Sequence, residues 1–179
     1  MSLIVPVPPP NTARLRFVTS PAFFSSAIRW FTDSDFSHCE AVVDKMHGGT
    51  IVSAQTAWID GQADPGVQNF AIDYDTWSIK QTFFDTLMTP GMYRSFTGAL
   101  FGMVGRPYNH DAFIGLALHD LNITEKGAYI CSQAIFDALR SCGFHKHELD
   151  IPDNGVTPQA LYLMVKQDTR WSEYPQTQA

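Results

Sequence analysis

Cys131 and His38 are the two side chains of this sequence whose chemistry suits a nucleophile and its base. A cysteine attacks a carbonyl carbon as its thiolate, so it needs an imidazole within hydrogen-bond reach or the unpaired N–H groups of a helix start. The imidazole needs a further polar group to hold its tautomer. Glu40, two positions after His38, Gln55 and Ser53 are candidates for that role, and Tyr108, Ser132 and Ser53 are candidates for contacts to a substrate. Backbone N–H groups around Cys131 and Ser132, with the Tyr108 phenol as a side-chain donor, would meet an oxyanion. These residue types together specify acyl or amide chemistry through a thioester. The plainer alternatives are that Cys131 is a small buried hydrophobe and that His38, Glu40, Ser53 and Gln55 form a solvated strand face.

The elements that must position these groups are legible from pattern. From Cys131 onward, Ala134, Ile135, Ala138, Leu139 and Cys142 recur on one face at the helical period. Arg140 falls in the last turn and Gly143 just past it, where a left-handed cap is wanted. Lys126-Gly127 supplies a turn before the helix, so Cys131 lies in its first turn. Residues 36–44 (FSHCEAVVD) and 50–55 (TIVSAQ) read as two strands joined by the loop Lys45-Met46-His47-Gly48-Gly49. Alternation sets His38, Glu40 and Val42 on one face and Cys39, Ala41 and Val43 on the other. With the loop centred near residue 47, His38 lies opposite Gln55 and Glu40 opposite Ser53; a one-residue slip would flip these faces. Gln55 is then nearer to His38, about 5 Å between Cβ atoms, against about 6.6 Å along the strand for Glu40. A carboxylate holds an imidazolium more strongly, whereas an amide suffices for orientation, so both stay candidates.

The rest of the chain frames this core. Residues 1–13 form a Pro-rich arm, and Arg14-Leu15-Arg16-Phe17-Val18 a short strand. A helix capped by Ser20 carries Phe24, Ala27, Ile28 and Phe31. Residues 57–66 are loop, 67–72 a strand, and 77–84 a stronger one. Thr89-Pro90 opens a helix that ends before Gly105, Arg106-Pro107-Tyr108-Asn109 is a turn, and a further helix covers residues 111–120. After a polar loop at 144–156, Thr157-Pro158 caps a last helix, and the tail from 167 frays.

Composition excludes several classes. With 45% hydrophobic and 17% charged residues the chain folds as one globular domain. A net charge of −6 argues against broad nucleic-acid binding. No 18-residue apolar run spans a membrane, and MSLIVPVPPP lacks the cationic start of a secretory signal. Three cysteines, 39, 131 and 142, cannot all pair, which favours reduced thiols and a cytoplasmic location, with export or phage-type delivery the alternative. His145-Lys146-His147-Glu148 reads as surface loop rather than metal site, and Cys39 and Cys142 as buried, inert thiols. Gly98-x-x-x-Gly102 lacks the Lys-Ser/Thr of a phosphate loop. No metal or cofactor is expected.

Ser37-His38-Cys39-Glu40, Ser53-Ala54-Gln55, Gly105-Arg106-Pro107-Tyr108-Asn109, Ile130-Cys131-Ser132-Gln133 and Val156-Thr157-Pro158, in that order, resemble a circularly permuted NlpC/P60-type domain. This is the papain-like group in which the histidine strand precedes the cysteine helix, and it includes the lecithin:retinol acyltransferase-like proteins. The resemblance covers about residues 14–166, leaving 167–179 as a tail. It implies a papain-like α+β fold, a small antiparallel sheet or barrel flanked by helices. It implies Cys131 as nucleophile, His38 as base, and Glu40 (an HxE pattern) or Gln55 as the third residue. The chain departs from the pattern at Asn109, where Asp is usual, and at Gln133, where Glu is usual. The activity implied is that of a thiol peptidase or amidase acting on cell-wall-type (peptidoglycan) or other small amide-linked peptides. Acyl transfer to lipids or amines by the same pair is one alternative; a non-catalytic binding module is another.

Overall fold

The computed structural model describes residues 5–19, 26, 29–30, 34–55, 66–74, 78–112, 115, 125–144 and 155–175. Most of the expected helix at 20–31, residues 57–65 of the expected loop at 57–66, most of the helix at 111–120 and the His145–Glu148 cluster lie outside them.

Strand β1 (Thr12–Thr19) is buried along its whole length. It lies inside a six-stranded antiparallel sheet with β2 (His38–Val42), β3 (Thr50–Gln55), β4 (Gly66–Ala71), β5 (Lys80–Leu87) and β6 (Ser172–Glu173). The order across the sheet is β4-β3-β2-β1-β5-β6. The expected papain-like α+β domain on a small sheet or barrel is therefore corrected: a large, open sheet organises the chain. The physical reason is non-local pairing. β5 aligns against the full length of β1, from Thr12↔Leu87 to Thr19↔Lys80, and no local pattern announces a partner so distant in sequence. The same pairing fixes the bounds of β5, which begins at Lys80 rather than at 77. The stretch after Gln167, expected to fray, carries β6 and the buried Trp171.

The two sheet faces differ. Ala13, Leu15, Phe17, Cys39, Ala41, Val52, Ala54 and Phe84 belong to the main core with the helices. Val42, Ile51, Phe70 and Phe83 build a second, smaller cluster on the other face, with Val5 of the arm and Tyr74 and Tyr174. Arg14 and Arg16 project to that second side by alternation. Buried arginine needs fixed acceptors, and Arg14 has them: a two-pronged pair with Asp85 at 2.7 and 2.6 Å and the Pro6 carbonyl at 2.6 Å.

Among the described residues, three α-helices pack on the main core. In α1 (Pro90–Met103) and α3 (Pro158–Gln167), Thr89 and Thr157 accept from Met92 N and Ala160 N, with proline in the first turn. In α2 (Cys131–Ser141), Ala134, Ile135, Ala138 and Leu139 are buried, and the helix lies on β2, β3 and α1. Gly143 (φ 96°) ends it, with Gly143 N–H to Arg140 O at 3.1 Å and Phe144 N–H to Leu139 O at 3.0 Å. Among the described residues no helix is long and apolar enough to cross a membrane.

One close approach positions the Tyr108 turn. Val67 N–H donates to Arg106 O and Gly105 N–H to Val67 O, both at 2.9 Å. A Cβ on Gly66 would stand 2.2 Å from the Arg106 carbonyl oxygen. Gly66→Ala is expected to push this turn off β4 and to lower stability by about 1–3 kcal/mol, read from urea unfolding. An unchanged midpoint would show that the turn yields freely.

Candidate active site

The β2–β3 pairing runs through Ala41↔Val52 and Val42↔Ile51. Continued along both strands, it sets Glu40 against Ser53 and His38 against Gln55, the register expected from the loop length. The other three polar side chains converge on the His38 imidazole. His38 Nε2 is 2.9 Å from Ser53 Oγ, 2.9 Å from Gln55 Nε2 and 3.4 Å from Glu40 Oε1. Ser53 spends its hydroxyl proton on Cys39 O at 3.0 Å, so it accepts from a protonated Nε2. The Gln55 amide nitrogen that lies against Nε2 also reaches Tyr74 OH. Both candidates for the orienting role, Glu40 and Gln55, thus reach His38.

Glu40 is held from three sides. Arg16 Nη1 donates to Oε2 at 2.9 Å, with both side chains fully buried. Tyr74 OH donates to Oε1, and Gln55 Nε2 donates to Tyr74 OH at 2.9 Å. Arg16 Nε donates onward to Gln81 Oε1 at 2.9 Å. Burial favours the neutral acid, but the hydrogen bond from His38 and the charges of Arg16 and His38 outweigh it, holding the carboxyl down at about 2. Arg16 and Tyr74 were missed in the sequence. The available signal was Arg14 and Arg16 on one face of an apolar strand, a placement that demands buried carboxylates; Tyr74 offered none.

Cys131 opens α2 with Ile130 as a cap lacking any side-chain bond. The first bond into the helix is Ala134 N–H to Ile130 O at 3.1 Å, so the N–H groups of Cys131, Ser132 and Gln133 precede the helical ladder. The Cys131 thiol stands well below the usual range. The first cause is a hydrogen bond from the Cys39 side chain; burial opposes it; the charge and hydrogen bond of His38 and the Cys39 backbone amide add to it. For His38, burial alone would lower the pKa. The charge and hydrogen bond of Cys131, then those of Glu40, reverse this and raise it to about 10. Both shifts favour a thiolate at Cys131 with an imidazolium at His38. Cys131 is buried and His38 is 17% exposed, so solvent reaches the pair from the histidine side.

Cys39 is fully buried on the core face of β2, the face on which α2 packs. Burial first, then the Cys131 hydrogen bond and charge, push the Cys39 thiol up.

The three expected substrate-binding residues divide. Tyr108 is buried beside the thiols; burial, then the negative charges of Cys131 and Cys39, push its phenol up, so it remains a donor. Asn109 places it: its Oδ1 accepts from Ala112 N at 2.8 Å and Glu125 N at 3.2 Å, while its own N–H bonds to Tyr129 O at 3.1 Å. The Ser132 hydroxyl is fully buried and donates to Val156 O at 2.5 Å, tying α2 to the approach of α3, which leaves the backbone N–H as the group it can offer. Ser53 is likewise engaged with His38 and Cys39 rather than offered to a ligand.

No protein-family model matches the chain, and no curated relative does. Among solved structures it is similar to the crystal structure of metalloprotein yiiX from Escherichia coli O157:H7, a DUF1105 protein. The identity is 15% and the TM-score 0.60, over 94% of this chain and 98% of that one. At this identity the likeness concerns the fold, and it sets the sheet-dominated architecture beside that of a DUF1105 protein. Among the described residues of this chain, no group of three or more His, Cys, Asp or Glu is arranged to hold a metal ion.

Proposed function

We propose that this protein is a thiol hydrolase that cleaves an amide or acyl bond through an acyl-enzyme on Cys131. The observation that carries the reading is the convergence of Glu40, Ser53 and Gln55 on the His38 imidazole, with Cys131 at the start of α2 held well below the usual thiol range in part by the His38 charge. Nε2 is engaged by those three groups, which leaves Nδ1 for the sulfur.

The steps follow from this geometry. The thiolate attacks the carbonyl carbon, a C–S bond forms, and the carbonyl electron pair moves to oxygen. Backbone N–H groups at Cys131 and Ser132, with the Tyr108 phenol, donate to that oxyanion. The imidazolium gives its proton to the leaving amine or alkoxide as the tetrahedral species collapses to the thioester. Neutral His38 then takes a proton from water, which releases the acid and restores the thiolate. Glu40 keeps its charge throughout and stabilises each imidazolium state. The order of motifs that resembles the NlpC/P60 group supports a substrate of the small, amide-linked peptide type, including cell-wall peptides.

The test is a panel of activated esters, aminoacyl anilides and muropeptides, followed by intact-mass and peptide mapping. A transient acyl adduct on Cys131 is expected, with turnover reduced about 10⁴-fold or more in Cys131→Ala. Product analysis with an added amine separates hydrolysis from acyl transfer. Acylation at another residue, or none across the panel while the thiolate is titratable, would refute the reading and leave a binding module on this fold.

A further inference from the structure

The sheet carries a second concave feature, set apart from the His38 site. Val18 pairs with His38 on one side and with Gln81 on the other, so β5 stands two strands, about 10 Å, from the histidine. A cavity of about 520 Å³ opens beside β5 there, within the size range of small-molecule sites. It lies where β6 stops. Tyr174 N–H donates to Phe83 O at 2.9 Å, and Pro175, which has no N–H to extend a ladder, follows.

The cavity combines an aromatic wall with two opposite charges. Phe36 and Tyr162 pack with ring centroids 4.8 Å apart. Tyr174, with the Arg14 guanidinium 3.9 Å from its ring centre, adds a third ring. Lys80 and Thr82 share one face of β5 by alternation, and the Lys80 ammonium lies 4.9 Å from the centre of the Phe36 ring. Thr82 Oγ1 donates to Glu173 Oε1 at 3.0 Å, which holds that carboxylate at the Thr82 position. The cation and the anion are thus anchored two strand residues apart, about 6.6 Å.

We propose that this cavity is a second ligand site, which takes a short zwitterionic peptide with its ammonium on Glu173, its carboxylate on Lys80 and an apolar side chain against the aromatic wall. Both charges are able to turn to such a ligand. Lys80 is 52% exposed and its contact with the exposed Asp35 is 3.6 Å long, a surface pair worth little in water. Glu173 is exposed, and the Thr82 hydroxyl that holds it brings no charge to offset its own. Two residues of extended chain span about 7 Å, the separation of the two anchors, whereas a single amino acid is too short to meet both. The site requires no turnover and stands independently of the hydrolase reading.

The experiment titrates the ¹⁵N-labelled full chain with alanyl-phenylalanine and follows backbone amide shifts, in parallel on Cys131→Ala, which cannot turn the peptide over. Saturating shifts at residues 80–82 and 173–174 are expected, with a Kd in the millimolar range. N-acetylation of the peptide, amidation of its carboxylate, or its replacement by free phenylalanine is each expected to weaken binding about 3- to 5-fold, and raised salt to erase these differences. Glu173→Gln is expected to equalise the free and acetylated peptides, and Lys80→Met the free and amidated ones. Both substitutions fall on exposed side chains, and the wild-type titration decides without them. Shifts confined to the surroundings of His38 and Cys131, equal affinity for all four probes, or no shift at residues 80–82 and 173–174 at saturating peptide would each overturn the proposal. Binding here in a protein that acylates no substrate would sink the hydrolase reading alone.

Discussion

An Arg16→Met variant is expected to lose about 3–5 kcal/mol of stability. Arg16 and Glu40 are both fully buried and meet at 2.9 Å. Removing the cation leaves a carboxylate in the sheet interior with only His38 and Tyr74 to offset its desolvation. Glu40 would then take up a proton at a pH well above the value of about 2 it holds now. The loss is therefore greatest at alkaline pH, where the His38 imidazolium also discharges. Urea unfolding across pH checks this, and Arg16→Met/Glu40→Gln completes the cycle. The double variant is expected to recover most of the loss, because it removes the orphaned charge along with its partner. A single variant within about 1 kcal/mol of wild type at every pH would mean that Glu40 is not charged in the folded protein.

The second large effect is on the thiol. His38→Ala is expected to slow iodoacetamide alkylation of Cys131 at pH 6 by about 10- to 100-fold, as its pKa climbs back toward ~8.5. The hydrogen bonds from Cys39 and the helix start remain, so the climb is incomplete. In wild type the ion pair spans the range from the lowered Cys131 pKa up to about 10, where His38 loses its proton. His38 is raised from 6.5, so its contribution to stability is fully present below pH 6.5 and lost as pH rises through about 10. Above that pH the alkylation rates of the two proteins converge. Identical profiles in wild type and His38→Ala would remove the ion pair, and with it the base.

What the sequence disclosed and withheld divides along range of interaction. The face carrying His38, Glu40, Ser53 and Gln55 was readable because a strand alternates with period two and a short loop fixes register. Helix α2 was readable because its apolar period, its unpaired start and Gly143 agree on one element. The sheet was not. β1 looks like an ordinary short strand, and only its pairing with residues 80–87 makes it interior. That one distant contact turned an expected small sheet into a large one and buried Arg14 and Arg16. Cys39 illustrates the same limit: period two gave its face, but not what covers that face.

The order of these pairings along the chain carries a consequence for biosynthesis. β1, β2, β3, β4 and β5 are all complete once residue 87 has been made, so the ribosome can deliver His38, Glu40 and Arg16 to their places early. Cys131 follows more than 40 residues later, and β6 only at residues 172–173. Until α2 docks, Cys131 is an ordinary thiol on an emerging chain, without its imidazolium or its Cys39 donor. Its reactivity is thereby made conditional on synthesis through α2, so a nascent chain carries no activated sulfur while β1–β5 are being made.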